Sequence, residues 1–267
     1  MSDEVVIELD EHGVLLATFN RPEQMNALNA GLGEGLLAAL DRATRDDDVR
    51  ALVLTGNGRA FCAGAEITAS SDPSRGASGP VPRHARLDHF GGSGRTAEAF
   101  ANCEVPVIAA INGATAGAGF GIALCCDMRF VAQGARLGPI FIKRGVASDY
   151  GVAYWLPRIV GAGRAYEMMY DGDLIDADRA LAIGLANRVV PDDRLLDETL
   201  AYARKVAAGP PLGTTELRRL LRRSWDMPLH DFLEQEWTYQ AALLRTADAR
   251  EGFTSFVEQR PPRFEGA

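Results

Sequence analysis

Residues 106–126 read PVIAAINGATAGAGFGIALCC, an apolar run that turns through glycine and alanine into a second apolar run. The first run, 106–112, is typical of a buried strand, and the segment after Gly121 is typical of a buried helix. Small side chains between them allow a ligand to approach the backbone closely. The first N–H groups of a helix have no partner within it and favour negative charge. This stretch therefore predicts an α/β fold with a ligand-binding turn between strand and helix.

A second stretch, further upstream, has the same character. Residues 51–55 (ALVLT) predict a short buried strand, and residues 59–67 (RAFCAGAEI) then turn through small side chains. The glycines of 117–121 lack the GxGxxG spacing of a dinucleotide-binding fold, so that interpretation is not favoured. The two turns together are the first candidates for a ligand-binding backbone.

The rest of the chain divides into two parts by its patterns. Apolar runs at 5–9 and 14–19 predict a β-hairpin, and helical spacing from 29 to 46 predicts a helix. Strand, loop and helix alternate through the first ~190 residues, which indicates the α/β class with mostly parallel strands. After that point the patterns predict helices, at 193–208, 212–225, 229–247 and 249–258. We therefore predict an α/β core at 1–191 and a helical region at 192–267.

Composition narrows the class of protein and its partners. The chain has 267 residues, 47% hydrophobic and 24% charged, as expected of a folded globular protein. Its net charge of −8 argues against a nucleic-acid partner. The sequence has neither a secretory signal nor an apolar run of membrane-spanning length, and its four cysteines lack zinc-site spacing. We expect a cytoplasmic protein with reduced thiols, no metal and no membrane partner.

One segment departs from the alternating pattern. Residues 68–95 are dense in serine, glycine and proline. A loop of this length inside a compact domain is uncommon and is usually functional or disordered. Both a flap beside the active site and a tolerated surface insertion remain open for this segment.

The motifs around the two turns follow one another in an order that resembles the crotonase superfamily, also called the enoyl-CoA hydratase/isomerase family. The resemblance covers essentially the whole chain. It is carried by NRP at 20–22, NALN at 26–29, FCAGAEI at 61–67, PVIAAING at 106–113, GAG at 117–119, Cys126-Asp127, LPR at 156–158, GLA at 184–186 and EGF at 251–253.

This resemblance implies a crotonase-like ββα spiral core with a C-terminal α-helical trimerisation region, assembled as a homotrimer or a dimer of trimers. The substrate is an acyl-CoA thioester, and no cofactor is implied beyond the CoA of the substrate. The backbone N–H groups of Ala65 and Ala118 form an oxyanion hole, which stabilises the charge that develops on a thioester oxygen. The implied CoA-binding residues are Arg21, Asn26, Ala27, Leu28, Ala63, Ala65, Ile67, Phe256 and Arg260, the last two from a neighbouring subunit. Arg21 is either a phosphate partner or a solvated loop residue.

The catalytic acids of a hydratase are absent from this sequence. A family hydratase uses two glutamates as an acid–base pair, and the matching positions hold Gly121 and Phe141. A different carboxylate, Asp149, stands where family isomerases have their base. By this resemblance Asp149 moves a proton between carbons of the acyl chain, and the protein is a double-bond isomerase. The alternative for Asp149 is a helix N-cap.

Other functions remain open at this point. The protein could be a hydratase with a non-standard acid and base, or a catalytically idle relative. A family dehalogenase suggests a third mechanism, in which Asp149 is a nucleophile assisted by His89. Tyr150, Tyr154 and Trp155 are either part of the acyl pocket or part of the core.

Overall fold

The structure is a computed structural model that describes residues 4–67, 83 and 87–267. The strands are Val5–Leu9 (β1), Val14–Phe19 (β2), Ala51–Gly56 (β3), Ala60–Cys62 (β4), Val107–Ile111 (β5), Ala114–Ala116 (β6), Met128–Ala132 (β7), Arg136–Gly138 (β8), Ile175–Asp176 (β9) and Arg188–Val190 (β10). The α-helices are Ala30–Arg45 (α1), Gly91–Asn102 (α2), Ala118–Cys125 (α3), Val152–Val160 (α4), Ala162–Asp171 (α5), Ala177–Ala182 (α6), Leu195–Ala207 (α7), Pro211–Arg223 (α8), Leu229–Leu243 (α9) and Ala247–Glu258 (α10).

The strands form two sheets that the chain visits in alternation. The larger sheet has the order β1-β2-β3-β5-β7-β10, in which β1 and β2 form an antiparallel hairpin and the other neighbours are parallel. The smaller sheet has the order β4-β6-β8-β9. Each pair β3/β4, β5/β6 and β7/β8 gives its first strand to the larger sheet and its second to the smaller one. The chain therefore advances as a spiral of ββα turns, as the sequence predicts.

The core forms where the sequence has continuous apolar runs. All residues of β5 and all eight residues of α3 are buried. A strand with both faces covered needs an apolar side chain at every position, which explains why these runs do not alternate with polar residues. The predicted hairpin is confirmed, as is α1, whose first turn is capped by the Asn29 side chain accepting from the Leu32 N–H at 2.9 Å.

Residues 191–267 contain helices and connecting turns but no strand, as predicted. The first of these helices, α7, packs on the larger sheet and buries Leu195, Ala203 and Ala207. Helix α9 has no buried residue, and α9 and α10 expose large apolar side chains such as Trp237 and Phe256. The division of the chain at residue 192 stays a prediction. None of the helices within the described ranges has the length and apolarity that crossing a bilayer would require.

The predicted loop 68–95 is corrected at its C-terminal end, because residues 91–95 are the first turn of α2. The Asp88 carboxylate accepts hydrogen bonds from the N–H groups of Phe90 and Gly91, both at 3.0 Å, and so supports the start of this helix. Several glycines in that turn disfavour a helix by local propensity, which hid it from the sequence patterns. Residues 68–82 and 84–86, including His84, lie outside the described residues.

Candidate active site

The N–H group of Ala65 is directed by a short parallel bridge between its segment and Leu28. The Leu28 N–H donates to the Gly64 carbonyl at 2.7 Å, and the Glu66 N–H donates to the Leu28 carbonyl at 2.9 Å. In a parallel pairing of this kind the residue between the two bonded groups turns its own N–H to the other side. The Ala65 N–H thus points away from Leu28, and within the described part of the chain no acceptor meets it.

The N–H group of Ala118 is left open by its position as the first residue of α3. Donors in the first turn of a helix have no carbonyl one turn earlier to bond. Gly117, with φ 53° and ψ −120°, makes the sharp change from β6 into this helix. Among the residues that the structure describes, no acceptor faces the Ala118 N–H either.

Glycines bring the two open N–H groups onto neighbouring backbone segments. A Cβ built on Gly64, which has φ 108°, would lie 3.0 Å from the Ala116 carbonyl oxygen and 3.8 Å from the Ala118 nitrogen. A Cβ on Gly119 would lie 2.0 Å from the Cys62 carbonyl oxygen, a distance that real atoms do not tolerate. The absence of side chains therefore allows the approach of the two turns that the sequence singled out.

Asp149 lies in the loop that packs on the first turn of α3. Its neighbour Tyr150 contacts Gly121, which follows Ala118 by about one helical turn. Helix α4 has Gly151 at its N-cap position, and no side chain caps it. The Asp149 side chain therefore does not cap the helix, which was the alternative that the sequence left open. Only the Asp149 backbone carbonyl bonds the helix, by accepting from the Val152 N–H at 3.0 Å.

The environment of the Asp149 carboxyl group is poor in polar partners. Its Oδ1 atom is buried and has no hydrogen-bond partner among the described residues. Burial raises the pKa of Asp149 above its ordinary value, and a hydrogen bond from its own backbone opposes part of that rise. A carboxyl oxygen that is buried without a partner is costly to keep for structure alone, and such groups cluster at functional sites.

The predicted CoA-binding residues of the N-terminal half lie side by side. The Ala63 N–H donates to the Met25 carbonyl at 3.1 Å, and the bridge at Leu28 joins the same two segments. Asn26 is fully buried and donates through its side chain to the carbonyls of Asn57 and Ala60 at 3.0 and 2.7 Å. Asn26 thus holds the segment in place, while its neighbour Ala27 is half-buried.

The Arg21 side chain forms ion pairs and a hydrogen bond with other groups of the protein. Its guanidinium forms ion pairs with Glu4 at 3.3 Å and with Glu66 at 3.2 Å, and it donates to the Ala27 carbonyl. The side chain is only 12% exposed, so it is not the solvated loop arginine that the sequence left open. Contact between Arg21 and a CoA phosphate stays a prediction.

The remaining predicted CoA-binding residues are exposed. Ile67 follows the first turn and is 70% exposed. Phe256 is 84% exposed on α10, and Arg260, just after that helix, makes a two-pronged ion pair with Glu251 at 2.6 and 2.8 Å. Contact of Ile67 with CoA, and of Phe256 and Arg260 with the CoA of a neighbouring subunit, stays a prediction.

The sequence patterns did not point to two residues that adjoin this site, Thr96 and Arg222. Thr96 is buried on α2, where its hydroxyl lies against Tyr150. Arg222 on α8 stacks over the Trp155 ring at 5.1 Å and donates to the Cys125 carbonyl at 2.7 Å. Both residues approach the site from helices distant in sequence, so no local spacing signals them. His89, the predicted helper of a nucleophilic Asp149, is exposed just before α2.

Known proteins resemble this chain over nearly its whole length. A family model described as Enoyl-CoA hydratase/isomerase matches residues 10–267. The chain belongs to the enoyl-CoA hydratase/isomerase family. The family resemblance, the crotonase-like fold and the acyl-CoA class of substrate that the sequence predicts are thereby confirmed.

Among the members of the enoyl-CoA hydratase/isomerase family that resemble this chain, some are named isomerases and others hydratases. The 1,2-epoxyphenylacetyl-CoA isomerase of Escherichia coli (strain K12) is 34% identical, over 98% of this chain and 99% of its own. The 2,3-dehydroadipyl-CoA hydratase of the same organism is 35% identical, over 95% of each chain. A crystal structure of enoyl-CoA hydratase from Bacillus anthracis matches with a TM-score of 0.90 at 29% identity, covering 99% of this chain and 100% of that one.

The two positions that the resemblance assigns to the hydratase glutamates hold no carboxylate in this chain. Gly121 is buried on α3, and Phe141 is buried on the 3-10 helix Ile140–Arg144. Neither side chain can accept or donate a proton. The described site therefore contains two open N–H groups and Asp149, but no pair of carboxylates at these positions.

Proposed function

We propose that this protein is an acyl-CoA double-bond isomerase in which Asp149 transfers the proton. The observation that carries the proposal is the buried, unpartnered Oδ1 atom of Asp149, whose chain neighbour Tyr150 contacts Gly121 on α3. A single carboxylate beside an oxyanion hole is sufficient for this reaction, since no water has to be activated.

The proposed reaction has two proton transfers and one enolate intermediate. The Asp149 carboxylate removes a proton from C2 of a 3-enoyl-CoA, and the electron pair moves through the carbonyl carbon to the thioester oxygen. That oxygen accepts hydrogen bonds from the N–H groups of Ala65 and Ala118, each worth roughly 3–4 kcal/mol in such a hole. Asp149 then returns the proton at C4, and the double bond lies between C2 and C3. The proposal needs no cofactor beyond the CoA of the substrate.

The raised pKa of Asp149 suits this role. Burial raises the pKa of the carboxyl group, so its conjugate base is stronger than an ordinary exposed aspartate. A stronger base removes a carbon-bound proton more readily, provided that the pH keeps it ionised. The same group then has a proton to return to the enolate.

The test is the substitution Asp149→Asn, which removes the base and keeps the shape. We expect kcat for isomerisation of trans-3-hexenoyl-CoA to fall by roughly 10²- to 10⁴-fold, the usual contribution of a positioned base. Binding of the acyl-CoA, measured by calorimetry, should change little. Asp41→Asn is the matched control, since Asp41 pairs with Arg45 on the exposed face of α1. An Asp149→Asn variant with most of its activity would refute the proposal.

Hydration is the second candidate, because relatives with similar identity carry hydratase names. In that reaction Asp149 alone would have to activate the water and supply the proton to C2. Incubation with trans-2-hexenoyl-CoA and chromatography of the products separates the two functions. Formation of 3-hexenoyl-CoA without 3-hydroxyhexanoyl-CoA supports the isomerase. Rapid formation of 3-hydroxyhexanoyl-CoA supports the hydratase.

We also propose that the chain assembles as a homotrimer or a dimer of trimers through its C-terminal helices. Trp237 on α9 is 65% exposed, and Phe253 and Phe256 on α10 are 66% and 84% exposed. Phe253 and Phe256, with further apolar residues, line a groove of about 550 Å³ between α8, α9 and α10. Apolar surface of this extent favours burial against another subunit. Sedimentation equilibrium tests the assembly, and a monomer at micromolar concentration would refute it.

A further inference from the structure

The side chain of Tyr150 occupies the space directly over Gly121. A Cβ built on Gly121 would lie 2.6 Å from the Tyr150 Cβ and 3.3 Å from its Cγ. Any side chain at position 121 would therefore force Tyr150 to shift. The position that holds a proton-transferring glutamate in family hydratases is covered by an aromatic ring in this protein.

This placement of the ring is held by the surrounding structure. Tyr150 is only 6% exposed and packs between Gly121 on α3 and Thr96 on α2. Its backbone has φ 49°, in the left-handed region that a bulky residue rarely adopts. The Cys125 thiol donates to its carbonyl at 3.3 Å. Such a conformation persists only where several contacts fix it, so the ring has little freedom to move aside.

The phenol of Tyr150 cannot take over the role of the missing base. Burial raises the pKa of Tyr150 well above its ordinary value, the Asp149 carboxylate raises it further, and the Thr96 hydroxyl opposes the rise. The phenol thus stays protonated at neutral pH and cannot take a proton from water. At the second hydratase position the residue itself is aromatic, because this position holds the buried Phe141.

We propose that Tyr150 determines the outcome of the reaction by filling the space over Gly121, next to its chain neighbour Asp149, and so excluding a nucleophilic water from that space. This inference rests on the proposed isomerase function and adds a specificity-determining residue to it. With the ring in place, the proton on Asp149 returns to the acyl chain before solvent can exchange it or attack the double bond.

The reaction that the ring prevents is hydration of the 2-enoyl-CoA. In that reaction the water oxygen forms a bond to C3, one water proton passes to Asp149, and the π electrons of the double bond move toward C2 and the thioester oxygen. The enolate then takes a proton from Asp149 at C2, which gives 3-hydroxyacyl-CoA without any oxidant or reductant. Its one additional requirement is a water molecule next to Asp149.

The experiment compares Tyr150→Ala, which opens the space, with Tyr150→Phe, which keeps the ring. Each variant converts trans-3-hexenoyl-CoA in D₂O, and mass spectrometry measures deuterium at C4 of the product and the ratio of 3-hydroxyacyl-CoA to isomer. For Tyr150→Ala we expect this ratio to rise at least about tenfold, because water admitted beside a positioned base gains part of its roughly 10²- to 10⁴-fold effect. Deuterium at C4 should rise as well. Tyr150→Phe should keep the wild-type ratio and the wild-type deuterium content.

The outcomes separate this inference from the proposed function. Wild-type protein without isomerase activity would refute the proposed function. Wild-type protein that isomerises with full deuterium incorporation, or a Tyr150→Ala variant that isomerises with unchanged product ratio and deuterium content, would refute only the inference. If Tyr150→Ala does not fold, Tyr150→Leu takes its place, because leucine removes the ring and leaves a smaller cavity. The product ratio and the deuterium content of Tyr150→Leu then test the inference.

Discussion

The contact between Gly121 and Tyr150 predicts that adding one methyl group at position 121 destabilises this protein. A Cβ at Gly121 would lie 2.6 Å from the Tyr150 Cβ and 3.2 Å from Val152 Cγ2. Carbon atoms pack at about 3.5–4.0 Å, so the loop carrying Asp149 and Tyr150 has to retreat by about 1 Å. Neither neighbouring atom is the free end of a flexible side chain, and the retreat therefore strains the backbone of the loop.

The size of the effect follows from two opposing contributions. Overpacking of a buried site costs about 1–3 kcal/mol. Alanine in place of glycine inside a helix recovers about 0.5–1 kcal/mol. For Gly121→Ala we therefore expect a net loss of between about 0 and 2.5 kcal/mol, centred on about 1 kcal/mol, which corresponds to a fall in Tm of about 2–4 °C for a chain of this size.

The chain offers a matched control on another helix. Gly33 lies within α1, and a Cβ built there would meet no atom within 4 Å. Gly33→Ala should therefore stabilise the protein by about 0.5–1 kcal/mol. Urea unfolding followed by circular dichroism, at one protein concentration for all variants, measures both changes. A Gly121→Ala variant as stable as Gly33→Ala would show that Tyr150 does not fill this space.

Two further predictions concern protonation and the attachment of α8. In the profile of kcat/KM against pH, activity should fall on the acid side with a pKa above 3.8, the ordinary value for aspartate. The reason is that burial raises the pKa of Asp149 and that the base works only when it is ionised. If the same fall persists in Asp149→Asn, it belongs to another group. Arg218→Ala should destabilise the protein by about 1.5–3 kcal/mol in urea unfolding, since it removes one of the two arginines that contact the half-buried Asp127 carboxylate at 2.8 Å and leaves only Arg222. Burial alone raises the pKa of Asp127, but the charges of Arg218 and Arg222 outweigh it and lower this pKa, so the pair stabilises the fold above pH 3.8 and loses that contribution as the pH falls further. In Arg218→Ala this loss at acid pH should be smaller, and an unchanged dependence of stability on pH would contradict the assignment.

Local patterns in the sequence were sufficient for most of the fold. The apolar run at 107–111 has to be a strand covered on both faces, and the spacing of leucines in α1 has to form a helix with one buried face. These signals depend on residues that are close in sequence, and so a single chain displays them. The ordered motifs likewise led to the family, and they placed the two turns and Asp149 as candidates. The start of α2 was hidden because its stabilising contact comes from Asp88, outside a turn rich in glycine.

The state of the site was decided only by the tertiary structure. Whether the Ala65 N–H is open depends on its bridge to Leu28, and whether Asp149 caps a helix depends on Gly151 taking that position instead. The contact of Tyr150 with Gly121 joins two segments that approach each other only after the spiral has closed. Burial and pKa depend on everything packed around a group, and most of that comes from distant parts of the chain. The sequence by itself therefore determined the elements and the candidate groups, whereas packing determined which backbone donors stay open and that one oxygen of the Asp149 carboxyl group is left without a partner.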